Sequence, residues 1–126
     1  MVEFIKLIWQ LPQIIIGWIY YTYLSDKGMI LAIEEYKGIR VYTKQSKGCV
    51  SLGNVIFVSE YTSRDVIKHE YGHIKQSLML GPLYLIIIGI PSILWAITYK
   101  HIAPNKSYYW FYTEHWANKL ASIDLK

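Results

Sequence analysis

At 126 residues the chain has the length of one domain, with room for a single modest core and none for two. Hydrophobic residues make up 53% and charged residues only 17%, against the roughly 25% charged that is usual in soluble domains, so the balance points to a membrane. The one cysteine, Cys49, excludes an internal disulfide and a cysteine-based zinc site, and the net charge of +4, spread without a basic tract, suits anionic lipid headgroups rather than nucleic acid.

Residues 4–24, FIKLIWQLPQIIIGWIYYTYL, carry one charge, Lys6. As one helix they would run about 32 Å, near the hydrocarbon thickness of a bilayer, which predicts an N-terminal transmembrane helix with Pro12 and Gly17 as points of kinking. A cleaved signal peptide fits poorly, since no basic region precedes the segment and no small-residue cleavage site follows it. Residues 29–58 change character. MILAIEEY, KGIRVYT and NVIFVS are β-branched and aromatic runs broken by KG and KQSKG, which predicts a small antiparallel sheet of three or four strands with a tight hairpin at Lys37-Gly38.

From Thr62 or Ser63 as cap, with Asp65 in the first turn, the pattern predicts a helix over 62–80, ended by Gly81-Pro82. The uncharged stretch 83–99, interrupted by Gly89 and Pro91, predicts a second apolar helix or a re-entrant hairpin. A final helix over 107–123 opens at Ser107. The expected fold class is α+β, one membrane-embedded domain over residues 1–126.

The helix over 62–80 carries HEYGH. Four residues apart, His69 and His73 share a helix face one turn apart, so both imidazoles can reach one ion, and neutral imidazole is a preferred zinc ligand. Glu70, about 100° round the helix from His69, stands where a carboxylate can act as general base on a metal-activated water. A purely structural zinc would want four closed ligands and leave Glu70 without a task. The third ligand is sought in TEHWAN: Glu114 closes a His, His, Glu set, and Asn118, one turn on, can orient His69 or His73 through its amide oxygen. His115 is the rival ligand, but it points off the Glu114 and Asn118 face.

NVIFVS, HEYGH and EHWAN together resemble the gluzincins, zinc peptidases whose HExxH helix follows a sheet-edge strand and precedes a helix carrying a glutamate ligand. The resemblance rests on these short motifs, and the overall brevity of the chain is similar to that of the minimal gluzincins. It implies Zn²⁺ held by His69, His73 and Glu114, with Glu70 as base and acid. The chain departs from the family pattern at Asn118, where an aspartate is common; an amide keeps the orienting hydrogen bond without the negative charge. Gln76 and Met79 occupy positions where a metzincin would need Gly and His, and Asp124 is the only later aspartate, which does not make a site-2-protease motif.

Asn54–Ser59 is placed to pair with an extended substrate as an edge strand, or else lies inside the sheet. Tyr71, Tyr108, Tyr109 and Tyr112 are candidate donors to a tetrahedral oxyanion or, alternatively, membrane-interface aromatics. A shared ion also constrains the topology: a straight span over 83–99 would carry His73 and Glu114 toward opposite membrane faces. Either the segment turns back at Gly89-Ile90-Pro91 or the metal sits within the membrane thickness. Residues 25–79 hold eight Lys and Arg and the three residues before Phe4 none, which predicts an integral cell-membrane protein with its site toward the cytoplasm.

The function expected is a membrane-embedded zinc metallopeptidase acting on peptides or membrane-protein segments, in contact with lipid and not with nucleic acid. The alternative is a catalytically silent zinc-binding membrane adaptor or immunity-like interaction protein. A third reading, a basic membrane-binding module without metal, makes HEYGH accidental.

Overall fold

The computed structural model describes residues 2–60 and 62–122; Ile123, the expected end of the last helix, and Asp124 lie outside them. The fold is mixed α and β. Two helices, α1 (Val2–Trp9) and α2 (Leu11–Asp26), lead into four strands, β1 (Ile30–Tyr36), β2 (Ile39–Lys44), β3 (Val50–Leu52) and β4 (Val55–Ser59). Helices α3 (Arg64–Leu80), α4 (Ile90–Ile102) and α5 (Tyr112–Leu120) follow.

The strand order is β1-β2-β4-β3, so the sheet is mixed rather than antiparallel: β4 inserts beside β2 and pairs with it parallel. The reason lies in the strands themselves. VIFVS is apolar without alternation, so it seeks cover on both faces, whereas short β3 can take the edge. The two faces alternate with period two. Val41, Ile56 and Val58 pack on Ile67 and Ile74 of α3, while Tyr42, Phe57 and Leu52 pack on Leu24 of α2. The β1–β2 hairpin turns at Lys37 and Gly38, both at positive φ, the geometry of a tight two-residue turn. Between β2 and β3 the loop 45–49 folds over the buried Lys44 ammonium, which donates to the Ser46 and Lys47 carbonyls at 3.1 and 2.7 Å.

The expected transmembrane helix over 4–24 is not one element. Pro12, near the start of α2, lacks the N–H that would continue the ladder, and the chain turns at Gln10. Gln13 then donates to the Ser77 hydroxyl and the Gly81 carbonyl, each at 2.8 Å, and the Ser77 hydroxyl donates to Gln10. The amides thus dock the N-terminal helices on the end of α3, while Phe4, Ile8, Trp18 and Ile19 face outward.

The re-entrant hairpin does not form either. A π-helical turn, Leu85–Gly89, runs directly into α4, with Pro91 tolerated in its first turn. Among the described residues, Leu85–Ile102 is the one helical stretch long and apolar enough to cross a membrane, with a mean hydropathy of 1.6 and only 11% of its residues buried.

His73 and Glu114 still meet, because the chain climbs back along α4 before α5 begins. Tyr108 packs on Tyr99, Phe111 stacks on Trp95 at 4.7 Å, and the Tyr112 hydroxyl donates to the Ile87 carbonyl at 2.7 Å. The last helix therefore starts at Tyr112, not Ser107. The residues between form a 3-10 turn, Tyr108–Trp110, capped by Ser107, and an extended Phe111.

Candidate metal centre

Helix α3 projects His69, Glu70 and His73 inward, and α5 brings Glu114 against them. Glu114 Oε1 lies 3.0 Å from His69 Nε2 and 2.9 Å from His73 Nε2. One oxygen and two nitrogens from residues 41 and 45 positions apart converge on one point. Glu70 stands beside them, its Oε2 at 4.0 Å from His69 Nε2, and donor atoms of His69, Glu70 and His73 all lie within 4.8 Å of one another. His69 is 1% exposed and Glu114 0%, so Glu114 is no solvated helix charge, while His115 faces outward.

The far side of each ring is held as well. Asn118 Oδ1 lies 2.6 Å from His69 Nδ1, and Gln76 Oε1 lies 2.6 Å from His73 Nδ1. An amide oxygen only accepts, so each Nδ1 carries a hydrogen; without a metal an Nε2–H can donate to Glu114, and a cation that displaces that proton meets the Nε2 lone pair at the same point. Gln76 is anchored in turn by donating to the Thr113 carbonyl at 3.0 Å, and the Thr113 hydroxyl donates to Glu114 Oε2 at 2.8 Å. In the sequence Gln76 stands out only as a residue that excludes a metzincin. Its signal was the spacing: three residues after His73, it lies on the same helix face.

The set fits a divalent cation. Two imidazole Nε2 atoms aimed at one point and a carboxylate oxygen form a three-ligand N/O set suited to zinc, and a cation offsets the cost of burying the Glu70 and Glu114 carboxylates. The electrostatics of the metal-free cluster point the same way. Burial raises the Glu70 pKa, outweighing the pull of the nearby histidines. Burial would likewise raise that of Glu114, but the hydrogen bonds to His69 and His73 hold it well below the usual carboxylate range. At His73 burial acts downward and is overcome by the hydrogen bond and charge of Glu114, which raise the pKa from 6.5 to about 9.

That shift has a sign. With its folded pKa above the unfolded one, His73 contributes stability that is complete below pH 6.5 and lost as pH rises through about 9. The chelated protein should therefore show a falling thermal midpoint across this window. The zinc-loaded protein should not share the fall, because the metal takes the place of the proton. Scanning both forms across the window checks this, and a flat or rising midpoint in the chelated form would contradict it.

Glu70 and His73 line a largely apolar cavity of about 270 Å³, walled by β3, by Ile16 of α2 and by the π-turn and α4. β4 is interior; the edge strands are β1 and β3, and β3 is the one that lines this cavity. Among the candidate tyrosines, Tyr108 lines this cavity and Tyr109 packs edge-on against the His69 ring at 4.9 Å. Tyr71 sits instead between Lys37 and Lys75, and the Tyr112 hydroxyl is spent on Ile87.

No protein-family model, curated protein or solved structure matches the chain.

Proposed function

We propose that the protein is a membrane-embedded, gluzincin-like zinc metallopeptidase. The observation that carries this reading is the convergence of His69 Nε2, His73 Nε2 and Glu114 Oε1 beside Glu70 at an apolar cavity rimmed by a strand edge. His69, His73 and Glu114 would hold the ion, which supplies Lewis acidity that polarises water and the scissile carbonyl. Glu70 accepts the proton of the attacking water and passes it to the leaving amine. Tyr108, hydrogen-bonded to Glu114, would turn its hydroxyl to the developing oxyanion; burial first, then the charges of Glu114 and Glu70, raise the pKa of that hydroxyl above a phenol's usual range. Asn118 and Gln76 hold the rings in register.

The substrate is a peptide or a membrane-protein segment. Exposed apolar residues on α2 and α4, and the length and hydropathy of Leu85–Ile102, support seating in lipid. On this reading the site lies within the membrane thickness, beside α4 rather than at its end. The Lys and Arg of the sheet and of the first turns of α3 support a cell-membrane location with that end of the centre toward the cytoplasm.

Purified in detergent, the protein should carry about one zinc per chain and hydrolyse apolar fluorogenic peptides. A chelator should abolish the activity and added zinc restore it. Metal content well below that ratio would overturn the zinc assignment. A zinc-loaded protein inert toward a diverse peptide library would overturn the peptidase and favour the silent adaptor.

A further inference from the structure

Two outer grooves, the first more apolar than the second, share walls with the cavity at Glu70 and adjoin at Gly48 and Cys49. An outer groove along α2, closed by Ile93 of α4, shares Ile16, Cys49, Val50, Leu52 and Ile93 with it as common wall. Glu70, Cys49, Ala96 and Tyr108 are shared with the second groove. The first is flanked by outward-facing isoleucines, Ile16 and Ile19 on α2 and Ile93 on α4, with Lys44 and Lys47 at its far end. The second carries the hydroxyls of Ser59, Thr62, Ser63 and Tyr109 beside Val66 and Ala96.

The strand between them is oriented for a guest. Val50, Ser51 and Leu52 all line the inner cavity, although successive strand residues point to opposite faces. A cavity touched by odd and even positions alike runs along the edge of the strand, and among the described residues β3 pairs with no strand but β4, which leaves its other edge without a strand partner.

We propose that substrate and water reach Glu70 by separate routes: an extended apolar peptide enters from the lipid side between α2 and α4 and adds to the edge of β3 away from β4, while water enters through the hydroxyl-bearing groove. The inference rests on the peptidase reading for its choice of guest. A lipid-side entry admits apolar side chains without exposing them to water, and backbone pairing with β3 holds the segment extended past Glu70. Keeping the water route apart lets the peptide fill the groove without sealing off the co-substrate.

The test is a binding measurement that needs no turnover. Zinc-loaded Glu70→Gln protein in lipid nanodiscs is titrated with a dansyl-labelled leucine-alanine peptide, followed by anisotropy. Ile93 is 54% exposed, so Ile93→Trp narrows the lipid-side mouth without entering the core; Ile16→Trp does the same from the opposite wall. Either should weaken peptide binding at least about tenfold, the worth of one apolar side chain denied its place. Ser63→Trp, at an exposed position that makes no side-chain cap, should leave binding within about twofold, yet slow hydrolysis when Glu70 is restored. Zinc content and thermal midpoint confirm that each variant is folded.

Peptide binding weakened by Ser63→Trp and untouched by both isoleucine variants would overturn the routes. That result would leave the peptidase standing, since wild-type hydrolysis is measured separately. Conversely, an inert wild type with mouth-dependent peptide binding would sink the peptidase and keep the entry path.

Discussion

Glu70→Gln is expected to lower peptide hydrolysis by about 10²–10⁴-fold, the worth of a positioned general base, while zinc content stays at the wild-type ratio. The two halves of this result have different causes. The atoms that converge are His69 Nε2, His73 Nε2 and Glu114 Oε1, and none belongs to Glu70, so an amide of the same shape leaves the donor set intact. A glutamine cannot take and return a proton. The substitution should also leave the thermal midpoint of the metal-free protein unchanged or higher. Burial raises the Glu70 pKa, so ionising the carboxylate near neutral pH carries a desolvation cost that an amide largely avoids. Hydrolysis undiminished in the variant would remove Glu70 from the mechanism, and loss of zinc would instead make it a ligand.

Much of this centre could be read from the chain because its chemistry sits on helices, where spacing alone decides which side chains share a face. His69 and His73, and again Glu114 and Asn118, stand four residues apart, and the two pairs meet as the spacing requires. What could not be read depended on packing between elements. SYYWFY is rich in aromatics and follows a plausible cap, so it reads as the opening of a helix. It extends instead because Trp95, Tyr99 and Ile87 of α4 offer its rings and a hydroxyl better partners. That return path also removes the conflict between a straight apolar helix and a shared ion, which arose from treating residues 83–99 as the whole distance between His73 and Glu114. The sheet was misread for a similar reason. Hairpin signals favour antiparallel neighbours, whereas the unbroken apolarity of VIFVS, the mark of a strand covered on both faces, asked for an interior place.

The middle of HEYGH carries a second requirement that a metal-ligand pattern does not express. At Gly72 the α5 backbone passes so close that an added Cβ would overlap the Ala117 carbonyl, with other Ala117 backbone atoms also in its way. Backbone cannot rotate aside as a side chain would, so Gly72→Ala must push α5 off α3. The elements displaced carry Glu114 and Asn118. Helix propensity favours alanine by about 1 kcal/mol, and overpacking of this kind costs about 1–3 kcal/mol or more, so a net loss of stability is expected. The larger effect should fall on the metal: with the third ligand and the His69 partner both shifted, zinc affinity should drop by at least about 10–100-fold, the range for disturbed outer-shell partners alone. Gly89→Ala is the matched control. There the nearest atom to an added Cβ is a Leu85 side-chain carbon at 3.4 Å, an ordinary contact, so zinc affinity should hold. Competition titration with a zinc chelator on both variants measures the difference. Equal affinities would mean that the α3–α5 approach does not set the geometry of the centre, and that Glu114 reaches the histidines by some looser arrangement.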